Sequence, residues 1–327
     1  MGWRSGVRSN KRSTLEGFLN VSKPWGWTSH DVVGLVRRLT QSRRVGHGGT
    51  LDPAATGVLP VAVGRATRLI DYMAGYDKSY CADIVLGAAT TTDDAEGKVL
   101  YARDPAQLDL EHVVPTLAGF VGEIDQVPPQ YSAVKLEGRK AYEIARKGGE
   151  AALRPRRVTI KGVAVVGWEP PILSVVIRCS KGTYVRSMAR DLGERLGVGA
   201  HLGALVRLTS GPFDCSDAVS VEELRMAAEF QYLDRLVYPP DLAVRQLPVM
   251  VVTGRHVDDM LAGRSWAARD EATEPTTSRV YSDTGDFLGL AAAVDGQWQP
   301  RLVLQDLSDL PAAPDPADSP AADLEEA

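Results

Sequence analysis

The spacing of apolar residues changes along this chain, and each change marks an element. Residues 17–22, GFLNVS, form a short apolar run ending at Lys23-Pro24 and read as a strand. In 29–41 the apolar residues Val32, Val33, Leu35, Val36 and Leu39 recur at helical spacing, which predicts a helix with Ser29 as its N-cap. A glycine-rich loop follows at 46–49. Residues 58–63 and 80–87 read as strands, and 64–76 as a short helix with Ala66, Leu69, Ile70 and Met73 on one face. Further helices are predicted over 108–119 and 139–147. Residues 156–166 and 172–180 alternate in a β-like way, with Val163, Val165, Val175 and Ile177 on the apolar positions. The segment 184–196 is amphipathic, with Val185, Met188, Leu192 and Leu196 along one side of a helix. Strands and helices mix without a strict βαβ rhythm, which points to the α+β class. Pro239, Pro240 and Pro248 mark a domain boundary within 239–248. The short β-like runs of 248–305 predict a small β-rich domain. Residues 1–16 read as a mobile basic arm, and the Pro-, Ala- and acid-rich 306–327 as a disordered tail.

Composition narrows the class. With 327 residues, 44% of them hydrophobic and 24% charged, the chain has the make-up of a soluble globular protein. It has no apolar run of the roughly 18 residues a membrane span needs. The basic first residues lack the apolar stretch of a secretory signal. Cys81, Cys179 and Cys215 are too few and too scattered for a disulfide framework or a zinc site, so the expected compartment is the reducing cytoplasm. The five histidines (30, 47, 112, 201 and 256) have no ligand-like spacing, which disfavours a metal hydrolase.

The net charge of −5 argues against a nucleic-acid partner only until its distribution is considered. Residues 306–327 carry seven acids and no Lys or Arg, and without them the balance is +2. Nine Lys/Arg stand against two acids in 1–44, and nine against three in 135–161. Local basic surface of this kind attracts phosphates whatever the total charge.

Candidate chemistry concentrates in 43–64, RRVGHGGTLDPAATGVLPVAVG. Gly46, Gly48 and Gly49 permit backbone geometries closed to other residues and a close ligand approach, and Pro53 stiffens the chain after Asp52. A carboxylate presented on a constrained loop suits a nucleophile or a general base; an Asp that merely caps the turn at Thr56-Gly57 is the structural alternative. The string is neither a phosphate-binding GxxxxGK[ST] loop nor a GxGxxG dinucleotide loop.

The segment GHGGTLDPAATGVLP, residues 46–60, resembles the signature loop of the TruB-type tRNA pseudouridine-55 synthases of bacteria. Further blocks agree in order along the chain. GFLNVSKPWGWTS (17–29) is similar to the family's first strand and its Lys-Pro-x-Gly-x-Thr-Ser turn. KSYCADIVLGAATTTDDAEG (78–97), PPQYSAVKLEGRKAYEIAR (128–146), CSKGTYVRSMARDLGERLG (179–197) and AHLGALVRLTSGPF (200–213) resemble later blocks. The resemblance is dense over 17–213 and weaker from 240 onward. Its Gly-Gly-Thr at 48–50 is a variant within the family's range.

The resemblance implies a pseudouridine synthase fold, a mixed and largely antiparallel sheet flanked by helices. A catalytic domain would span 17–238 with a basic insertion at about 131–157, followed by a PUA-like RNA-binding domain at 248–305. It implies isomerisation of uridine 55 in the T loop of tRNA, with neither cofactor nor metal and without guide RNA, by a monomer. Asp52 takes the position of the essential aspartate and Arg186 that of the arginine that pairs with it. Tyr80 takes that of the active-site aromatic, which can stack on the base or reach a proton-transfer site. Tyr184 and Leu205 match pocket walls, and His47 a residue set against flipped-out nucleotides. Lys23 and Arg44, with Arg43, Arg65 and Arg68, are candidate phosphate contacts. Two alternatives use the same residues: an RNA-binding or tRNA-folding module, and the catalytic subunit of a guide-dependent particle.

Overall fold

The computed structural model describes residues 15–305 except 133, 137–138, 146–148, 150 and 269–275. Most of the predicted N-terminal arm and all of the predicted acidic tail lie outside these residues. The chain divides into two compact units between Ala243 and Val244, inside the proline-bearing stretch 239–248.

The first unit is α+β. Strand β1 (Gly17–Lys23) leads into helix α1 (Ser29–Thr40), then β2 (Val45–His47) and β3 (Ala55–Val63). A 3-10 turn (Gly64–Leu69) and one α turn, α2 (Ile70–Met73), replace the continuous helix expected over 64–76. Strand β4 (Lys78–Leu86) precedes a small hairpin, β5 (Ala88–Thr90) and β6 (Val99–Ala102), and helix α3 (Leu110–Ala118) leads to β7 (Gly122–Gln126). In the basic segment, a two-stranded hairpin, β8 (Lys135–Leu136) and β9 (Arg139–Lys140), takes the first residues of the helix predicted at 139, leaving α4 as Ala141–Ala145. Strands β10 (Arg156–Glu169) and β11 (Ile172–Cys179) form a long hairpin. Helix α5 (Val185–Arg195), β12 (Ala200–Ser210), β13 (Phe213–Asp214), α6 (Val221–Glu229) and β14 (Val237–Tyr238) complete the unit. The pattern of apolar residues did not single out α6, although Ser220 and Glu223 form a capping box at its start.

Among the described residues the main sheet has ten strands, with the path β14-β1-β3-β12-β4-β11-β10-β7. Its pairs are antiparallel except β3 with β12, which makes the sheet mixed. Two apolar clusters support it. One packs α3 and α5 on β4, β10, β11 and β12 through residues such as Ile84, Ile177, Met188 and Leu192. The other packs α1 and α6 on β1 and β3 through Leu19, Val32, Val36, Leu59 and Leu224. Each such fully buried side chain contributes about 1.5–3 kcal/mol. Helix α1 is capped by Thr28, one residue before the predicted Ser29: Thr28 and Asp31 bond each other's backbone reciprocally. Ser29 is buried, and its hydroxyl is used elsewhere.

The second unit holds β15 (Val249–Val252), α7 (Arg255–Leu261), β16 (Trp266–Ala267), β17 (Thr277–Ser282), β18 (Phe287–Val294) and β19 (Gln297–Val303). Its five-stranded sheet runs β15-β17-β18-β19-β16 around Val252, Met260, Trp266, Val280 and Leu288. The sequence reading found the β-rich character and missed the helix at 255–261.

Gly57 lies where β3 is squeezed between β1 and β12, opposite Lys23 on one side and Arg207 on the other. Its φ is +94°, and a Cβ there would stand 2.3 Å from the Arg207 carbonyl oxygen. The Gly57→Ala variant is therefore expected to lose roughly 2–4 kcal/mol of stability, from the strained φ and the overlap together. Thermal unfolding of the purified variant measures it.

Candidate active site

Residues of β2, β4, β10 and β12, of α2 and α5 and of the loop between β2 and β3 line a cavity of about 690 Å³, a size that accepts a nucleotide. The loop between β2 and β3 forms its floor. That loop is held at nearly every residue. Ser29 Oγ donates to the Leu51 carbonyl at 3.1 Å and accepts from the Leu51 N–H at 2.9 Å, so the loop is fixed to the start of α1. The Pro53 carbonyl accepts from Gly26 N at 2.9 Å and from Lys23 Nζ at 3.1 Å. From below, Arg207 donates to the carbonyls of Gly49 at 3.1 Å and Val58 at 2.6 Å. With its backbone immobilised, the loop presents the half-exposed Asp52 carboxylate to the cavity.

Asp52 meets Arg186. The distance from Arg186 Nη2 to Asp52 Oδ2 is 2.9 Å, and the arginine side chain is only 7% exposed. Arg186 stands in the first turn of α5, whose apolar face (Val185, Met188, Ala189, Leu192) is anchored in the core. Its guanidinium is held by three further acceptors. Nη2 donates to the Tyr131 carbonyl at 2.9 Å, and Nη1 donates to the Thr92 carbonyl at 3.2 Å and faces Asp94 Oδ2 at 3.4 Å. Asp94 is fixed in turn by the Thr92 hydroxyl and the Glu96 N–H. One turn along α5, Arg190 pairs with Asp93 at 2.9 Å and donates to the Val127 carbonyl at 3.0 Å, which braces the same 92–94 turn. A guanidinium fixed on several sides presents its free edge to one carboxylate with little reorganisation.

The other predicted residues fall into two groups. Tyr80 on β4, Leu205 on β12, Tyr184 and His47 all line the cavity with Asp52 and Arg186. The backbone of Tyr184 is clamped by Gln126, which accepts from its N–H at 2.8 Å and donates to its carbonyl at 3.0 Å. Tyr184 packs against the small cluster of Val134, Ala141 and Ala151 in the basic segment. His47 Nδ1 accepts from the Gly49 N–H at 3.3 Å, and burial, then the nearby Arg207, lowers its pKa, so a neutral ring suits the site. The phosphate-contact candidates fare differently. Lys23 has no exposed surface, and its ammonium is spent on the carbonyls of Pro24, Trp27 and Pro53. It supports the loop and has no free donor to offer a phosphate. Arg65 is paired with Glu16 at 2.7 Å, which also ties the end of the predicted N-terminal arm to the fold. Arg43, Arg44 and Arg68 are exposed and lie outside the cavity wall.

Sequence reasoning assigned no role to Arg207, Asp94 or Lys78. Arg207 follows Leu205 by two residues on one strand, so the pleat puts both on the same face, a signal readable once Leu205 is placed. Lys78 lines the cavity, and its ammonium donates to the Ala74 and Tyr76 carbonyls.

Residues 37–185 match the TruB family pseudouridylate synthase (N terminal domain), and residues 186–245 match the tRNA pseudouridylate synthase B C-terminal domain. The chain belongs to the TruB family. The tRNA pseudouridine synthase B of Symbiobacterium thermophilum is 46% identical over 266 residues, 80% of this chain and 87% of that protein. That of Gloeobacter violaceus is 44% identical over 301 residues, 90% of this chain and all of the relative. Among solved structures, a chain of a Cbf5-Nop10-Gar1 complex superposes with a TM-score of 0.70 at 24% identity, over 91% of this chain and 88% of that one. At that identity the likeness speaks for the fold.

Two outcomes follow from this TruB site. Removing the Asp94 charge in Asp94→Asn withdraws the second anion from Arg186. A bond to a charged group carries about 1.5–3 kcal/mol, so single-turnover conversion should fall roughly 10- to 100-fold with RNA affinity little changed. The second outcome concerns Lys23, whose pKa is lowered to about 8 by burial, against the Asp52 carboxylate, which raises it. The folded value lies below the ordinary 10.5, so between pH 8 and 10.5 the unfolded chain binds more protons and stability at this position rises with pH. The Tm of the wild type relative to Lys23→Met should therefore increase as the pH is raised from about 7 to about 9.5.

Proposed function

We propose that this protein converts the uridine at position 55 in the T loop of tRNA to pseudouridine, acting on bare tRNA as a cytoplasmic monomer without guide RNA. The observation that carries the reading is the Asp52–Arg186 ion pair at 2.9 Å on the floor of a nucleotide-sized cavity, inside a chain of the TruB family. The reaction breaks the bond from ribose C1′ to uracil N1, with the electron pair leaving on the base. The base turns, C5 bonds to C1′, the C5 proton departs and N1 gains one. Asp52 acts on the ribose, either as a nucleophile at C1′ or as a base on its neighbouring C2′ proton, and on both routes Arg186 is its cationic partner. The target base must first leave its stack, at a cost of a few kcal/mol. Tyr80, Tyr184 and Leu205 supply an aromatic and apolar chamber to receive it, and His47 lines the same cavity. The β-rich second unit is read as a PUA-type RNA-binding domain.

The test is incubation of the purified protein with unmodified tRNA transcript, with nothing added, followed by mapping of pseudouridine at single-nucleotide resolution. Conversion at the single T-loop uridine is expected. The Asp52→Asn variant should bind the transcript with near wild-type affinity and form no measurable product. Binding without conversion by the wild type would favour an RNA-folding module or a guide-dependent subunit instead.

A further inference from the structure

Arg207 is the largest fully buried side chain among the described residues, with 1% of its surface exposed. Its guanidinium donates to the carbonyls of Val58 and Gly49 and reaches that of Thr50 at 3.5 Å, and on β4 its cross-strand partner is Tyr80. All three carbonyls are neutral. Among the described residues Arg207 forms no ion pair, whereas Arg186, its neighbour in the cavity wall, has two carboxylates. A buried cation without a counter-charge is costly, because desolvation is not repaid by attraction. The cost is intelligible where negative charge arrives during function, and Arg207 lines the cavity that receives the base.

The reaction proposed above creates that charge twice. Cleavage of the C1′–N1 bond leaves the electron pair on the uracil, and N1 must later gain a proton while C5 must lose one. Tyr80 lines the same cavity and stands directly opposite Arg207 in the β12–β4 pairing, so that the pleat puts its phenol on the face of the unpaired guanidinium. We infer that Arg207 is a positioning residue that acts through Tyr80, its charge stabilising the hydroxyl as a phenolate while it exchanges protons with the turned base. The phenol gives its proton to N1 of the detached base. After C5 has bonded to C1′, the C5–H bond breaks, its electrons return to the ring, and the proton goes to the phenolate oxygen. No proton is gained or lost overall, and no outside donor is required. Burial pushes the Tyr80 phenol above its ordinary range, and the largest opposing influence is the Arg207 charge. Of the cations lining the cavity, Arg207 is the one that faces Tyr80 across the β12–β4 pairing, where a phenolate needs balance. The bonds to Gly49 and Val58 give the same side chain a second task, fixing the loop that carries Asp52, and the experiment must separate the two.

This inference rests on the proposed tRNA reaction, and the test tells their failures apart. Transcripts are made with ordinary uridine and with uridine deuterated at C5, and single-turnover rates are compared for wild type, Arg207→Lys, Arg207→Gln, Tyr80→Phe and the double variant Arg207→Lys/Tyr80→Phe. An inactive wild type overturns the functional reading itself. With an active wild type, Arg207→Gln is expected to lower the rate roughly 100-fold or more, the usual scale of proton-transfer catalysis, with transcript affinity within a few-fold. Its C5 isotope effect should exceed that of the wild type, because removal of the C5 proton becomes limiting. Arg207→Lys should restore part of the rate, and adding Tyr80→Phe to it should cost less than Tyr80→Phe costs alone. If Arg207→Gln does not fold, Arg207→Lys carries the isotope measurement. An unchanged isotope effect in the folded variants, with losses that simply add to that of Tyr80→Phe, would overturn the inference and leave Arg207 as a support for the loop.

Discussion

The contact between Asp52 and Arg186 in the cavity wall is the constraint on which this structure depends. Arg186 Nη2 stands 2.9 Å from Asp52 Oδ2, and the arginine itself is buried. The arrangement functions only if neither partner moves. The fold meets that demand from opposite sides, through a loop held to α1, β1 and β12 and a helix whose apolar face is locked into the core of the β4–β11 half of the sheet. The mixed topology serves the same end: the parallel β3–β12 pairing sets the Asp52 loop beside the strand bearing Leu205 and Arg207, and antiparallel β4 brings in Tyr80.

The site uses its buried cations in different ways. Lys23 is spent on three backbone carbonyls and braces the loop. Arg186 is shared between Asp52 and Asp94, so its charge is already compensated before any substrate enters. Arg207 is bonded only to neutral groups and leaves its charge available to the cavity. Lys23 and Arg207 flank Gly57, where β3 passes too close to Arg207 for any side chain. A residue that looks like a simple turn former in the signature loop thus sets how closely the two cations approach the loop they hold.

Much of this was legible in the sequence because local rules acted without competition. The helical spacing of Val32, Val33, Leu35 and Val36 survives as α1, and that of Val185, Met188 and Leu192 as α5, since in both an apolar stripe meets a sheet face. The departures occur where a side chain found a better tertiary use. Ser29 read as a cap, yet its hydroxyl serves both polar groups of Leu51, and Thr28 closes the helix with Asp31. Lys23 read as a phosphate contact from its charge, but in β1 it points to buried carbonyls. Short helices such as α7 carry too few residues for their period to stand out between strands.

By itself the sequence determined the chemistry on offer: an ordered set of blocks containing Asp52, Tyr80 and Arg186, a glycine pattern that only a tightly approached loop needs, and basic stretches hidden beneath an acidic total. Tertiary structure alone decided which charges would be paired. Asp94 and Arg186 are 92 residues apart in the chain, and Arg207 meets the Val58 carbonyl across 149. The partner of a charge depends on strand order and register, which arise from the packing of the whole sheet and leave no local trace in the residues that depend on them.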